Sequence, residues 1–250
     1  MRTTWEEAGW ERLGTGVVRR RMPGWDETIG MIAGAGGVLL VDTGPTLAAG
    51  AELRRTVRGV LGRDVTHVAL THPHFDHVLG TAAFAGVEVY GAAGVAGLLR
   101  DGGEALRQDA VRHGVAPQAA AEAADHLVVP RHQVDDRTTL DLGDREVLLA
   151  AVGPGHTAHD LAVLVPGRPG ERDVVFCGDL VEESGEPQAG PDAVPGRWPA
   201  ALDRLLTLGG EDAHYVPGHG AVVDAAFVRA QRDALAARFG TANSPRHDRR

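Results

Sequence analysis

The chain has 250 residues and a formal net charge of −9, and this acidic balance disfavours a nucleic-acid partner, which draws its affinity from clustered Lys and Arg. It contains no lysine, which excludes P-loop and Schiff-base lysine chemistry, and its two serines lie outside any G-x-S-x-G motif. The single cysteine excludes an internal disulfide, and the absence of a long apolar run or signal-like N-terminus predicts a cytoplasmic protein without a membrane partner.

Hydrophobic patterning predicts strands and helices that alternate along most of the chain. The predicted strands cover residues 28–33, 38–41, 66–70, 87–90, 126–129, 138–142, 147–152, 161–165, 174–177 and 214–216. The predicted helices cover residues 46–61, 199–208 and 222–239, with two or three short helices between 94 and 124. This order is typical of an α+β fold in which helices cover the outer faces of sheets.

The length fits a single domain, here predicted over residues 1–240 with a helical insertion at about 94–124. Residues 241–250 follow Gly240 and include Pro245, and they are predicted to be a disordered tail. The Gly- and Pro-rich stretch at 182–199 is interpreted as a surface loop. This loop or the 94–124 helices could form a lid over a site.

The densest chemical motif is an H-x-H-x-D-H sequence that follows the predicted strand at 66–70. His72 and His74 lie two residues apart, so in an extended turn both side chains point the same way and can hold one metal. Asp76 and His77 fall past the turn, where they can hold a second metal nearby.

Three further ligand-type side chains occur where other predicted strands end. Each follows a strand and a glycine: His156 after Gly155, Asp179 after Gly178, and His219 after Gly218. The repetition predicts one shared site at the strand ends.

These motifs, together with Asp42-Thr43-Gly44, resemble the metallo-β-lactamase superfamily over most of the chain, from about residue 28 to about residue 219. The resemblance implies an αββα four-layer sandwich with the site at one edge. It also implies that His72, His74 and His156 hold a first metal, that Asp76, His77 and His219 hold a second, and that Asp179 bridges them. Asp42 would support the site from behind.

The implied function is a dinuclear zinc hydrolase, with iron or manganese as alternative metals. A hydroxide shared by the two metals would attack the carbonyl of a small ester, thioester, lactone or amide-like substrate, with Asp76 and Asp179 as the catalytic carboxylates. The oligomeric state is left open. An antibiotic-cleaving enzyme is disfavoured because no secretory signal or clamp lysine is present, and a glyoxalase-II-like thioesterase because basic glutathione-binding features are not evident.

Two other classes remain as alternatives. An iron-dependent sulfur dioxygenase of the same fold would use one iron and a subset of these ligands, and a metal-bound binding protein would have no turnover. Among the remaining histidines, His159 is a candidate for lining or supporting the site. The others are interpreted as packing or surface residues: His67, His113, His126, His132, His214 and His247.

Overall fold

The computed structural model describes residues 4–240. The tail predicted to be disordered, at 241–250, lies outside the described residues, as do residues 1–3. None of the helices between residues 4 and 240 combines the length and the apolar character needed to cross a membrane.

The first sheet has seven strands whose spatial order follows the chain. They are β1 (Glu11–Gly14), β2 (Val17–Arg21), β3 (Thr28–Ala33), β4 (Val38–Val41), β5 (His67–Leu70), β6 (Glu88–Ala92) and β7 (His132–Val134). Strands β1 to β4 pair antiparallel, and β4 to β7 pair parallel. The parallel half therefore directs the carboxyl ends of β4, β5 and β6 to the same edge.

The second sheet has five strands in the order β12-β11-β10-β9-β8. They are β8 (Arg137–Asp141), β9 (Glu146–Ala151), β10 (Leu161–Val165), β11 (Val174–Glu182) and β12 (His214–His219). Only the β11–β12 pair of this sheet is parallel. Consequently β11 and β12 also end at a common edge.

Seven α-helices accompany the sheets in residues 4–240. They are α1 (Leu47–Leu61), α2 (Phe75–Val78), α3 (Val95–Asp101), α4 (Gly103–Arg112), α5 (Pro117–Asp125), α6 (Trp198–Gly209) and α7 (Ala225–Phe239). Helix α1 begins where the Thr46 side chain accepts a hydrogen bond from the amide of Ala49, and it ends at Gly62 in the left-handed conformation. Short 3₁₀ helices lie at Thr81–Phe84 and Pro195–Arg197.

The two sheets pack face to face around one apolar core, and helices cover their outer faces. At the centre, Gly30 of β3 lies so close to Phe176 of β11 that a Cβ there would come within 2.5 Å of the ring. Leu53 and Val57 of α1 belong to the same core, whereas Leu202 and Leu205 of α6 pack on the other side of the second sheet. The fold is therefore the αββα sandwich that the sequence motifs imply.

One predicted strand is wrong, and three strands were missed. The strand predicted at 126–129 does not form: His126 caps α5, and the apolar side chains that follow pack on the core as irregular chain before Pro130, which cannot donate to a ladder. The strand β7 begins two residues after Pro130. It was missed because, as an edge strand, it has a mostly polar sequence without an apolar pattern. Strands β1 and β2 escaped prediction because charged residues interrupt them, although Arg19 is buried and pairs with Glu11.

Candidate metal centre

The H-x-H-x-D-H motif lies where β5 leaves the first sheet. Val68 and Leu70 are fully buried, which anchors the strand in the core. The backbone of His74 is still extended (φ −87°, ψ 153°), and the helix α2 begins at the next residue. The change from strand to helix separates the first two histidines of the motif from Asp76 and His77, as the spacing predicted.

The other three predicted residues come from the second sheet. His156 lies in the loop between β9 and β10, and His219 is the last residue of β12. Asp179 was predicted to follow its strand, but β11 continues to Glu182 and Asp179 lies within it. The pairing with β12 shifts register between Gly178 and Glu182, and Gly178 has a left-handed backbone (φ 53°), so the strand bulges at Asp179.

The fold brings all seven predicted residues into one cluster at the edge of the two sheets. They form two groups, and within each group the ligand atoms all lie within 4.8 Å of one another. The first group contains His72, His74, His156 and Asp179, and the second contains Asp76, His77 and His219.

Asp179 lies between the two groups. Its Oδ2 is 3.6 Å from His156 Nε2 in the first group and 3.4 Å from His219 Nε2 in the second. Its Oδ1 is 3.2 Å from His77 Nε2. One carboxylate thus contacts both groups, which is the position that a bridging ligand requires.

The five imidazoles share one arrangement: an oxygen outside the cluster holds one ring nitrogen, and the other nitrogen faces the cluster. The outer partners are Thr71 Oγ1 for His72, Asp192 for His74, Asp42 for His77, the Gln188 carbonyl for His156 and the Trp25 carbonyl for His219. Metal-ligating histidines are characteristically held in this way, because the outer hydrogen bond fixes the tautomer and the ring orientation.

Several atoms that face the cluster are buried without a hydrogen bond to any described residue. They are His72 Nε2, His77 Nε2 and Asp179 Oδ1. Leaving such atoms unpaired costs free energy unless a ligand satisfies them. Imidazole nitrogens and carboxylate oxygens are ordinary zinc ligands, so the donor set fits metal ions.

The carboxylates around the second group favour positive charge there. Burial opposes a charged His77, but Asp179, Asp76 and Asp42 outweigh it and raise the pKa of this imidazole well above its usual value. Burial likewise opposes charge on His219, yet Asp179 and Asp76 raise its pKa to about 11.

The first group behaves differently. Burial is the main cause that lowers the pKa of His156 to about 4, and it also lowers the pKa of His72 well below the usual range. Burial opposes charge on His74 too, but its bond with Asp192 raises its pKa. Two of the three imidazoles are therefore held neutral, the form in which histidine binds metal.

Asp42 lies directly behind the second group. It is 1% exposed and has a left-handed backbone (φ 62°), a conformation that Asp tolerates better than most residues. Its carboxylate accepts hydrogen bonds from the amide and hydroxyl of Thr71 and from His77 Nδ1. The following residue, Thr43, binds the carbonyl of His77 through both its amide and its hydroxyl. Asp42 and Thr43 thus hold His77 from two sides.

His159 lies outside both groups. Its Nδ1 is 2.6 Å from the carbonyl of Ala93, and its ring covers Gly94, where a Cβ would come within 2.2 Å. His159 therefore connects the loop before β10 to the residues that precede α3. Any effect of this side chain on the metal centre would be indirect. The other five histidines within the described residues also lie outside the two groups, while His247 lies beyond the described residues.

Two acidic residues near the cluster were not predicted. Glu182 is 9% exposed, and with Asp179 and His219 it forms a third group of ligand atoms within 4.8 Å of one another. Glu27 is fully buried beside the second group, neither of its carboxylate oxygens has a partner among the described residues, and burial raises its pKa to about 7. The signal for Glu182 was a second carboxylate on the same predicted strand region as Asp179, directly after Leu180 and Val181; nothing comparable marks Glu27.

A cavity of about 790 Å³ opens from the cluster to the surface. One wall consists of apolar side chains from the first half of the chain: Trp25, Phe75, Leu98, Leu99 and Leu106. The loop 184–192 also lines the cavity, and it provides Gln188 and Asp192 to the histidines. Both segments considered as lids therefore line the cavity.

Comparison with known families agrees with this geometry. Residues 22–219 match the family model described as the metallo-beta-lactamase superfamily. The chain is also 29% identical over 161 residues to metallo-beta-lactamase domain-containing protein 1 of Xenopus laevis. That alignment covers 64% of this chain and spans 57% of the length of the relative.

Solved structures share the architecture over nearly the whole chain. A metallo-beta-lactamase from Pontibacter korlensis superposes with a TM-score of 0.70 at 21% identity, covering 90% of this chain and 97% of the other. The metallo-beta-lactamase FIM-1 from Pseudomonas aeruginosa, in its mono-zinc form, gives 0.66 at 21% identity, covering 92% and 94%. A metallo beta lactamase from Hirschia baltica gives 0.64 at 18% identity, covering 90% and 96%. At these identities the likeness establishes the fold.

Proposed function

The chain belongs to the metallo-β-lactamase superfamily, and on this premise we propose that it is a metal-dependent hydrolase holding two zinc ions. Its substrate is a small molecule with an ester, thioester, lactone or amide-like bond. The observation that carries the proposal is the common orientation of the five imidazoles. Each has its outer nitrogen held by an oxygen, which leaves the inner nitrogen for a metal.

The first group would hold one ion and the second group the other, with Asp179 shared between them. Two zinc ions, when bound, supply Lewis acidity and lower the pKa of water enough to give a nucleophile near neutral pH. This chemistry needs no Ser, Cys or Lys nucleophile. Accordingly the chain lacks lysine, and its single cysteine is buried, which raises the pKa of the Cys177 thiol well above its usual value.

The two carboxylates of the cluster have separate tasks in this proposal. Asp179 contacts both groups and fixes their spacing. Asp76 lines the cavity and its Oδ2 lies 3.2 Å from His219 Nε2, and its ionised carboxylate can accept a hydrogen bond from an attacking water and orient it. Burial opposes the charge of Asp76, but His77 and His219 keep its pKa well below the usual range.

The cavity indicates the kind of substrate. Its apolar wall offers a surface for a hydrocarbon arm, and Leu98 is 48% exposed there. Its charged lining residues away from the cluster are mostly acidic, and the single cation, Arg112, is bound to Asp109. A neutral, apolar substrate arm therefore fits this wall better than a carboxylate-bearing one.

The test is elemental analysis of the purified protein together with a panel of chromogenic esters, thioesters, lactones and β-lactams. We expect close to two zinc ions per chain and hydrolysis of at least one neutral class. Leu98→Ser should raise KM for substrates with long apolar arms and leave kcat and metal content unchanged. Phe227→Ser, on the exposed face of α7, is the matched control. One iron without zinc, or zinc-loaded protein inert to the whole panel, would contradict the proposal.

A further inference from the structure

Strand β11 presents two carboxylates to the cluster from positions that a regular strand would send to opposite faces. Residues three apart in a strand alternate in direction. Here the segment from Gly178 to Glu182 pairs with the shorter segment from Pro217 to His219, so the extra residues bulge out of the ladder. As a result, ligand atoms of Asp179, Glu182 and His219 lie within 4.8 Å of one another.

A side chain from another element holds this bulge in shape. Gln231 of α7 is 8% exposed, and its amide nitrogen donates to the carbonyl of Leu180 at 2.7 Å. Its amide oxygen accepts from the backbone N–H of Glu182 at 3.0 Å. Two backbone groups of the bulge are therefore hydrogen-bonded, and the Leu180 carbonyl accepts a second bond from Trp198 Nε1 at 3.0 Å, so the backbone that carries Glu182 is held on the side away from the cluster.

The carboxylate of Glu182 is buried and only partly satisfied. Its Oε1 accepts a hydrogen bond from the Ser184 hydroxyl at 3.1 Å, which leaves Oε2 available. The neighbouring Asp179 Oδ1 and His77 Nε2 are buried without a hydrogen-bond partner among the described residues. Glu182 lines the cavity beside these atoms, so its Oε2 is open to an ion bound there.

We propose that Glu182 is a further metal ligand, which adds a carboxylate to the ion held by Asp76, His77, His219 and Asp179. The second position then has five protein donors, three of them carboxylates, whereas the first has four donors and three imidazoles. Tetrahedral sites rich in imidazole suit zinc, while carboxylate-rich sites of higher coordination suit Mn²⁺. Glu182 therefore raises the affinity of the second position for Mn²⁺. The inference rests on the proposed metal centre and is independent of the reaction.

The experiment compares Glu182→Gln with Glu186→Gln, an exposed carboxylate of the same cavity that lies outside the ligand groups. Chelator-treated full-length proteins are titrated with Mn²⁺ alone and with Zn²⁺ alone, by calorimetry and by the electron spin resonance of free Mn²⁺. Two Mn²⁺ ions should bind in two steps, and we expect Glu182→Gln to lower the affinity of the lower-affinity step at least about 10-fold. The corresponding Zn²⁺ step should weaken less, and Glu186→Gln should bind like the wild type.

A second variant and a spectrum separate ligation from charge and from folding. Glu182→Asp keeps the charge but shortens the reach, so it should lose Mn²⁺ affinity as Glu182→Gln does. Cobalt-substituted Glu182→Gln should absorb visible light more strongly than the wild type, since the coordination number of one ion falls. Equal Mn²⁺ affinity in Glu182→Gln and Glu186→Gln, or an unchanged cobalt spectrum, would overturn the proposal. Neither measurement depends on finding a substrate.

Discussion

His77 Nδ1 lies 2.8 Å from Asp42 Oδ2, and because a carboxylate only accepts, this contact makes Nδ1 the protonated nitrogen of the ring. His77 Nε2 faces the cluster, and a metal that binds there would displace the proton that the raised pKa otherwise keeps on this nitrogen. The same carboxylate accepts from the amide and the hydroxyl of Thr71, so Asp42 ties the ends of β4 and β5 together.

Asp42→Asn should therefore weaken binding of the second metal by about 10- to 100-fold. Asn tolerates the left-handed backbone at this position, but its NH₂ group would face a donor, either His77 or Thr71. Metal content after dialysis against a weak chelator measures the effect. Asp203→Asn, an exposed carboxylate on α6, is the matched control. Full retention of two ions by Asp42→Asn would show that the contact does not support the site.

Asp179→Asn should lower kcat by about 10- to 100-fold with little effect on folding. The amide keeps the shape of the side chain but removes the negative charge that offsets two dications, so the ions would bind less tightly. The measurements are kcat, metal content and thermal unfolding of both proteins. An Asn variant with two bound ions and full activity would mean that Asp179 is not a bridging ligand.

On acidification, the second position should lose its ion before the first. Protons compete with metal for the imidazoles, and the pKa of His219 is raised to about 11 and that of His77 well above its usual value. Competition is weaker in the first group, because burial lowers the pKa of His72 and that of His156, the latter to about 4. Metal content against pH should show a plateau at one ion.

Asp76→Ala identifies which ion remains at that plateau. This variant lacks a donor of the second group alone, so it should hold one ion near neutral pH and keep it to the same acidic pH as the wild type. Simultaneous loss of both ions from the wild type would contradict the assignment of the two positions.

Asp160 should make the metal-free protein less stable as the pH rises. Burial is the main cause that raises the pKa of this carboxyl to about 7, and Thr157 donates two hydrogen bonds to it. Because the folded pKa lies above the unfolded one, the unfolded state loses its proton first. The contribution of Asp160 to stability is therefore fully present below about pH 4 and is lost as the pH rises through about 7.

Asp160→Asn cannot ionise, so its stability relative to the wild type should rise by about 1 to 3 kcal/mol from low to high pH. Urea unfolding of both chelator-treated proteins, at about pH 4 and about pH 8, gives this difference. The same difference at the two pH values would show that the carboxyl is not ionised preferentially in the unfolded state.

The sequence predicted the fold and the clustering of seven residues, because these depend on patterns that are local in the chain. Strand ends followed by glycine and a ligand-type side chain could be recognised one at a time. The bulge at Asp179 could not, since it arises from the register between β11 and β12 and from Gln231, which lies far along the chain. Glu182 was missed for the same reason. Likewise β7 depends on pairing with β6 and carries no apolar pattern of its own.

The residues of the cluster are drawn from both sheets, from His72 just after β5 to His219 at the end of β12. Such a site cannot assemble until long-range contacts have formed, and contacts of this kind come late in folding. Zinc should therefore leave the refolding rate nearly unchanged and mainly slow unfolding, because ligation is absent from the transition state. The ions would then determine how long the folded chain survives, while its sheets determine how fast it forms.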